Sequence, residues 1–126
     1  MKTSTQQLGK KGEDEACRYL LGLGQRIIER NWRSGHLEID VITLDSEGLH
    51  FVEVKSRKAP VMAEPEVNVG FTKQHRIVSA ALAYLHSKDA PHCGDLEIFF
   101  DVVTVVFFEQ SEKIEYYPKA YIPIYV

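Results

Sequence analysis

The sequence is poor in the features that mark secreted, membrane-spanning and zinc-binding proteins. It has two cysteines, Cys17 and Cys93, in 126 residues, and such sparse cysteine is typical of a reducing compartment in which both thiols stay free. No apolar run is long enough to cross a membrane, and the N-terminal residues lack the apolar segment of a signal peptide. The five histidines show no close zinc-ligand spacing. These absences predict a cytoplasmic protein without a disulfide framework, a membrane partner or a zinc site.

The composition is that of an ordinary globular chain. Hydrophobic residues make up 44% and charged residues 26% of the sequence, and a chain of this length buries roughly two thirds of its surface as one domain. The net charge of −3 disfavours a nucleic-acid partner. The acidic excess lies in residues 77–126, however, whereas residues 1–76 are nearly balanced. Charge alone therefore leaves open a nucleic-acid surface, a solvated surface and a partner-binding acidic half.

Hydrophobic periodicity predicts an α/β fold with the element order αβββαββ and a sheet flanked by helices. Thr72 is the predicted N-cap of the second helix. Gly9 and Gly12 predict close approach of the first helix to a sheet or ligand. Two prolines and an absence of periodicity predict a mobile loop near 58–70 within a single domain spanning 1–126. The predicted helices are 5–23 and 72–86, and the predicted strands are 25–34, 37–44, 49–56, 96–108 and 113–118.

The central hairpin carries charge where the rest of the sheet is apolar. The sequence "DSEG" at 45–48 predicts a tight turn that places Leu44 opposite Leu49. On one face of the hairpin, the residues near the turn are apolar and those further from it are charged. The other face is apolar throughout. The pairs are Ile42 with Phe51, Asp40 with Glu53 and Glu38 with Lys55 on the first face, and Val41 with Val52 and Ile39 with Val54 on the second.

Three carboxylates converge in this prediction. Asp40 and Glu53, directly opposed, have Cβ atoms roughly 4.5–5.5 Å apart and repel each other unless one pKa rises or both share a cation. Glu13 lies on the core-facing stripe of the first helix and either joins them or forms a buried salt bridge, for example with Lys55. Carboxylates without a histidine or cysteine cluster suit a hard cation such as Mg²⁺, and a neighbouring lysine can stabilise developing negative charge. The residues therefore predict metal-assisted phosphoryl chemistry.

The start of the second helix brings cations and an amide towards the same region. Lys73, His75 and Arg76 crowd a helix N-terminus, where the helix dipole disfavours positive charge. Contact with phosphate would explain these cations, and simple solvation is the alternative. Gln74 lies on the inward stripe of the helix and either faces the site or makes a cap or backbone hydrogen bond.

Two segments of the hairpin resemble the metal-binding core of the PD-(D/E)xK nuclease superfamily. In "GHLEID" and "FVEVKSR", Asp40 is followed after twelve residues by Glu53, Val54 and Lys55. The segments "GKKGEDEACRYL", "ERNWRSGHLEIDVI", "FVEVKSR", "KQHRIVSAALAYL" and "FDVV" resemble, in this order, the YraN-like family of small predicted endonucleases. The layout is also similar to that of archaeal-type Holliday-junction resolvases.

The resemblance implies a restriction-endonuclease-like α/β core and an endonuclease that uses Mg²⁺ or Mn²⁺ to hydrolyse phosphodiester bonds. DNA is a more natural substrate than RNA on this resemblance, branched or junction DNA included, and junction cleavage would favour a homodimer. The alternative is a nucleic-acid-binding module that retains the nuclease fold without cleaving.

The resemblance also implies roles for individual residues. Lys55 orients or activates the attacking water, as part of a catalytic set with Glu13, Asp40 and Glu53. Glu38 is either an auxiliary ligand or a salt-bridge partner of Lys55. The implied metal ligands are Asp40, Glu53 and the carbonyl of Val54, with Glu13 binding the metal directly or through water. The expected nucleic-acid contacts are Arg57, Lys73, Gln74 and Arg76.

Overall fold

The computed structural model describes residues 3–60, 69–91 and 95–121. Within these ranges the chain forms a mixed α/β fold in the predicted order αβββαββ, and each predicted boundary agrees to within two residues. The elements are α1 (Ser4–Gly22), β1 (Arg26–Ser34), β2 (Leu37–Leu44), β3 (Leu49–Lys58), α2 (Phe71–Leu85), β4 (Ile98–Phe107) and β5 (Glu112–Tyr117). Residues 61–68, most of the predicted mobile loop, lie outside the described residues.

The five strands form one sheet in the order β1-β2-β3-β4-β5. Strands β3 and β4 are parallel, and each other neighbouring pair is antiparallel. A parallel pair needs a crossover connection, and α2 lies in that connection. In the described ranges, no helix is both long and apolar enough to cross a membrane.

Each helix covers one face of the sheet with its apolar stripe. Helix α1 buries Ala16, Cys17 and Leu20 against valines of β2, β3 and β4. On the opposite face, α2 buries Val78 and Tyr84 among aromatic and aliphatic side chains of the same strands. Strand β4 lies between both layers, which confirms the two-sided burial predicted from its continuous apolar run. Cys17 is a free thiol in the α1 layer, and Cys93 lies outside the described residues.

The two helices begin differently. Thr3 caps α1 in a capping box, because its hydroxyl accepts from the Gln6 amide at 3.1 Å and the Gln6 side chain accepts from the Thr3 amide at 2.9 Å. The predicted cap of α2 at Thr72 is wrong. The N-cap is Gly70, two residues earlier than predicted and without a side-chain cap, so Thr72 lies inside the first turn.

The predicted hairpin register is confirmed near the turn and wrong further along. The β2–β3 ladder runs from Leu44 opposite Leu49 to Val41 opposite Val52, as predicted. Within residues 3–60 this ladder does not extend to the predicted pairs beyond Val41, which are Asp40 with Glu53, Ile39 with Val54 and Glu38 with Lys55.

The predicted pairs beyond Val41 do not form because the side chains of β2 change face beside an irregular residue of the neighbouring strand β1. Asn31 of β1 has a φ of 52°, in the left-handed region, and it interrupts side-chain alternation along β1 and β2. Ile39, opposite Trp32, therefore packs in the α2 layer, whereas Val54 packs in the α1 layer. The predicted apolar pairing of Ile39 with Val54 is therefore replaced by packing on opposite faces.

Candidate functional site

The site begins where β2 and β3 separate. Asp40 follows the last ladder pair, and its Oδ2 accepts a hydrogen bond of 2.9 Å from the backbone amide of Val54. A side-chain carboxylate thus satisfies a strand amide that would otherwise need another acceptor. This contact holds Asp40 between the two strands, half-buried and next to the carboxylates of neighbouring elements.

A glycine contact brings the first helix to this point. A Cβ placed on Gly12 would lie 1.7 Å from Ser56 Oγ and 2.9 Å from Ser56 Cβ, so only glycine allows α1 to approach β3 this closely. Glu13, the next residue, accepts a 2.9 Å hydrogen bond from Asn31 Nδ2 and lies 3.8 Å from Arg30 Nη2. Close approach is confirmed at Gly12, whereas a Cβ on Gly9 would meet nothing within 4 Å.

The electrostatics of Asp40 show that the carboxylates converge. The pKa of Asp40 is raised to about 7, chiefly by burial and also by the negative charges of Glu13, Glu53 and Glu38, against the opposing hydrogen bond from the Val54 amide. The like-charge interaction predicted from the hairpin therefore exists, although Asp40 and Glu53 are not a ladder pair. An added cation would relieve this repulsion.

Glu53 is the most buried carboxylate of the group, with 8% of its side chain exposed. Its Oε1 forms an ion pair with Lys73 of α2. Its Oε2 is buried and accepts no hydrogen bond from the part of the chain that the structure describes. A buried carboxylate oxygen without a partner is costly and calls for a bound group, because nearly all buried polar atoms in proteins are satisfied.

Asp40 and Glu53 line the same small pocket, of about 80 Å³. Its walls come from β2, β3 and the first two turns of α2, which supply Lys73 and Ile77. Glu13 instead lines a neighbouring cavity of about 500 Å³ together with Asn31 and basic side chains. Glu38 also lines the first pocket, so the predicted carboxylates are divided between two cavities, with Glu38, Asp40 and Glu53 in one and Glu13 in the other.

The predicted nucleic-acid contacts Gln74, Arg76 and Arg57 lie in three different environments. Gln74 Nε2 donates to the Val69 carbonyl at 2.7 Å, the backbone hydrogen bond that was the structural alternative for this amide. Arg76 lines a cavity of about 410 Å³ beside the pocket. Arg57 is exposed, and its Nη1 donates to the Ser56 carbonyl at 2.9 Å.

Lys55 and Glu38 lie on the two strands that meet at the site. Lys55 is half-buried on β3, opposite Thr104 of β4, and strand periodicity places it on the same face as Glu53. Glu38 Oε2 lies 3.4 Å from Arg33 Nη2, in an exposed ion pair on β1 and β2.

Sequence reasoning missed Asn31, Arg30 and Arg33, which hold the carboxylates on the β1 side. Asparagine adopts positive φ more readily than most residues, so an Asn inside a strand pattern was a usable signal for a change of face. The sequence could not indicate that Arg30 and Arg33 pair with these carboxylates, because both lie on a strand whose charged side chains could equally face solvent.

The fit to a metal ion depends on the ligand number. Over residues 3–60, 69–91 and 95–121, no three histidine, cysteine, aspartate or glutamate side chains are arranged to hold one ion. Asp40 and Glu53 line one pocket, beside the more exposed Glu38, and Glu53 has a buried oxygen without a partner in the described residues. A hard cation such as Mg²⁺ binds through one or two protein carboxylates, waters and substrate phosphate, so this pair fits it.

The fold, a five-stranded mixed sheet with a helix on each face, is consistent with a restriction-endonuclease-like α/β core. The chain belongs to the uncharacterised protein family UPF0102, whose family model matches residues 12–105. The YraN-like membership predicted from the motifs is thereby confirmed.

Relatives from several bacteria share the family over most of their length. A UPF0102 protein of Bacteroides thetaiotaomicron is 37% identical over 117 residues, covering 93% of both chains. A UPF0102 protein of Trichlorobacter lovleyi is 40% identical over 118 residues, covering 92% of this chain and 91% of the relative. One from Anaeromyxobacter dehalogenans is 40% identical over 118 residues, with 92% and 84% covered. These names state the family but no activity, so any inference about chemistry depends on the residues of the site.

Proposed function

We propose that this protein is a Mg²⁺- or Mn²⁺-dependent endonuclease that hydrolyses phosphodiester bonds of DNA in the cytoplasm. The observation that supports this most directly is the buried Glu53 Oε2, which has no hydrogen-bond partner in the described residues and lies in the same pocket as Asp40. Two desolvated carboxylates at one pocket repel each other, and a divalent cation is the ligand that relieves the repulsion and supplies the missing partner.

Asp40 and Glu53 are the residues that hold the ion in this proposal, with the Val54 carbonyl beside them and Glu13 reaching it through water. The ion would offset charge on the phosphate and lower the pKa of a nearby water. Lys55, on the same face of β3 as Glu53, orients the attacking water and stabilises charge that develops on phosphate oxygens. Glu38 is held by Arg33 and serves as an auxiliary group.

The basic side chains beside the pocket supply the proposed contacts with the DNA backbone. Lys73 and Arg76 line one cavity that adjoins the site, and Arg57 is exposed at the end of β3. Because the chain carries a net charge of −3, binding depends on these local cations and should weaken steeply with salt. Branched and junction DNA are included as substrates, and paired cuts across a junction would favour a homodimer.

A non-catalytic nucleic-acid-binding module is the second candidate. It is favoured by the ion pair between Lys73 and Glu53, which already supplies a cation to the most buried of the pocket carboxylates. A protein of this kind would bind DNA through the same basic groups without needing a metal.

A cleavage screen distinguishes the two. Branched, duplex and single-stranded DNA, with single-stranded RNA as a further substrate, would be incubated with Mg²⁺, Mn²⁺ or chelator, and binding would be measured in parallel with Ca²⁺. Asp40→Asn is the matched control, since its amide oxygen can still accept from Val54 while the charge is lost. Metal-dependent cleavage that disappears in Asp40→Asn supports the endonuclease. Binding without cleavage of any substrate supports the module, and cleavage that survives in Asp40→Asn contradicts the assigned site.

A further inference from the structure

We propose that Lys73 is an exchangeable counter-ion, whose ammonium group neutralises Glu53 in the metal-free site and moves to a substrate phosphate when a divalent cation binds. This inference rests on the proposed function and deepens it, because it assigns Lys73 a regulatory part in metal loading. Its basis is the ion pair itself together with the position of Lys73 between two cavities.

The ion pair joins a buried anion to an exposed cation. Glu53 has 8% of its side chain exposed, whereas Lys73 has 60% exposed. Lysine carries its charge on a flexible four-carbon stem, so the ammonium can leave Glu53 without movement of the helix. Glu53, by contrast, is fixed in β3 and cannot follow it. The pair is therefore asymmetric: the anion belongs to the site and the cation is the partner that can depart.

A divalent ion and the Lys73 ammonium compete for the same carboxylate. Lys73 pairs with Oε1 of Glu53, and Oε2 is left without a hydrogen-bond partner in the described residues. The pocket measures about 80 Å³, which forces two cations on this carboxylate close together. Positive charges at such distances repel strongly in a partly desolvated site. Binding of the ion therefore expels the ammonium.

The structure also contains a place for the ammonium to go. Lys73 lines the pocket that holds Asp40 and Glu53, and it also lines the adjoining cavity of about 410 Å³ with Arg76 and His36. Glu38 lines this cavity too, and its carboxylate is paired with Arg33. This second cavity lies at the N-terminal turn of α2, where an anion is favoured and an uncompensated cation is not. A phosphate bound there would receive the released ammonium next to Arg76.

The exchange links the two ligands. A divalent ion frees Lys73 for phosphate, and phosphate holds Lys73 away from Glu53, so each ligand raises the affinity for the other by the same factor. In the absence of both, Lys73 keeps Glu53 neutralised and protects the fold from a buried unpaired charge.

The test measures Mn²⁺ binding by calorimetry and thermal unfolding in chelator and in saturating Mn²⁺, all without nucleic acid. Lys73→Met removes the competing cation, so Mn²⁺ affinity should rise roughly tenfold, the equivalent of one modest ion pair. Its melting temperature should fall in chelator and match wild type in Mn²⁺, because the ion replaces the lost charge. Lys88→Met removes one positive charge from an exposed position outside the site and should change neither measurement appreciably.

Lys73→Arg is a second, independent test, because this variant keeps both the ion pair with Glu53 and the fold. A guanidinium can hold both carboxylate oxygens, so it should resist displacement and lower Mn²⁺ affinity below wild type. The expected order of affinity is Met above Lys above Arg at position 73. An equal fall in melting temperature with and without Mn²⁺ for Lys73→Met, or unchanged affinity in both variants, would overturn the exchange and leave the proposed function standing. No Mn²⁺ binding by wild type would overturn both.

Discussion

The backbone amide of Val54 donates a 2.9 Å hydrogen bond to Oδ2 of Asp40, at the point where the ladder between β2 and β3 ends. Asp40 therefore has a structural partner for one of its oxygens, while its charge is opposed by burial and by neighbouring carboxylates. The hydrogen bond needs an oxygen acceptor, and the proposed function needs a negative charge. The two requirements can be separated by substitution.

Replacing Asp40 and Glu53 with amides should abolish Mn²⁺ binding without loss of stability. In Asp40→Asn/Glu53→Gln the acceptor for Val54 remains and the like-charge repulsion disappears, so unfolding in chelator should occur at a temperature no lower than for wild type. Calorimetric titration with Mn²⁺ should show no binding, because neither amide can offset the cost of dehydrating the ion. A large fall in melting temperature would instead identify these residues as a structural salt-bridge cluster.

Gly12 should be irreplaceable in a way that Gly9 is not. A Cβ on Gly12 would overlap Ser56, with 2.9 Å to its Cβ, so Gly12→Ala must push α1 away from β3 at a cost of about 1–3 kcal/mol in unfolding free energy. Gly9→Ala meets nothing within 4 Å and should stabilise the helix by up to about 1 kcal/mol. Urea denaturation of both variants measures the contrast.

Ser56→Ala provides the control for the Gly12 contact. It removes the hydroxyl that a new Cβ would meet at 1.7 Å, but leaves the Ser56 Cβ in place. Gly12→Ala combined with Ser56→Ala should therefore recover part of the lost stability. Strict additivity of the two substitutions would show that the helix is destabilised for a reason other than this contact.

A separate buried network, at the turn end of β3, predicts how stability depends on pH. His50 is buried, with Nδ1 2.7 Å from Asp101 Oδ2 and Nε2 2.9 Å from Asp45 Oδ1. Burial lowers the pKa of His50, but the hydrogen bonds to Asp101 and Asp45 outweigh it and raise the pKa above the usual 6.5. Asp101 also accepts a 2.5 Å hydrogen bond from Tyr116, so the carboxylate is firmly held.

Because the folded state binds the His50 proton more tightly than the unfolded state, this group stabilises the fold fully below pH 6.5. That contribution is lost as the pH rises from 6.5 through the raised folded pKa. Unfolding free energy measured with urea should therefore decline over this window in wild type, and the decline should be smaller in His50→Gln. A variant with the same pH profile as wild type would show that His50 does not carry the effect.

Removing Lys73 and Arg76 together should reduce the salt dependence of DNA binding. Each phosphate contact contributes about 0.9 to the slope of log affinity against log salt, so Lys73→Ala/Arg76→Ala should flatten the slope by up to about 2 when Ca²⁺ fills the site. Lys88→Ala/Lys113→Ala removes the same charge from positions outside the site and should leave the slope nearly unchanged. Equal slopes for the two double variants would move the DNA surface away from α2.

Much of the fold could be predicted from local pattern. The "DSEG" turn and the apolar alternation fixed the hairpin register from Leu44 opposite Leu49 to Val41 opposite Val52, because a slip by one residue would bury charge. The prediction failed for the pairs beyond Val41, starting with Asp40 and Glu53, because the cause lies on another strand. Asn31 of β1 takes a left-handed conformation, and on the neighbouring strand Ile39 packs in the α2 layer whereas Val41 packs in the α1 layer. No pattern within the hairpin itself indicates this change of face.

The candidate site shows the same division. Strand and helix periodicity brought Glu13 and Glu53 close enough to Asp40 for their charges to act on it. The partners of these carboxylates could not be predicted. Lys73 lies on α2, twenty residues after Glu53 in the chain, and forms an ion pair with it. Contacts between residues so far apart in the sequence depend on how the helix packs on the sheet, which the sequence pattern of each element does not indicate.

Substitution of Lys55 should show whether this residue contributes to catalysis or to the stability of the fold. If it positions water and stabilises developing negative charge, its effect belongs to the transition state, so Lys55→Ala should slow single-turnover cleavage on the order of a hundredfold or more. Mn²⁺ affinity and DNA affinity should change little, since neither is a transition-state quantity. Lys55→Arg should not restore the rate, because a broad planar fork replaces a compact point charge.

The contrasting role for Lys55 is that of a counter-ion for Glu38 or Glu13. Removal of a counter-ion would leave a partly buried carboxylate unpaired, so Lys55→Ala would then lower the melting temperature while each folded molecule cleaved at nearly the normal rate. Melting temperature and single-turnover rate measured on one preparation distinguish the two roles. A stable variant with impaired cleavage supports the catalytic role, since the loss appears only when the phosphate reacts. A destabilised variant with intact cleavage rules it out, because the charge would then act on the fold and not on the reaction.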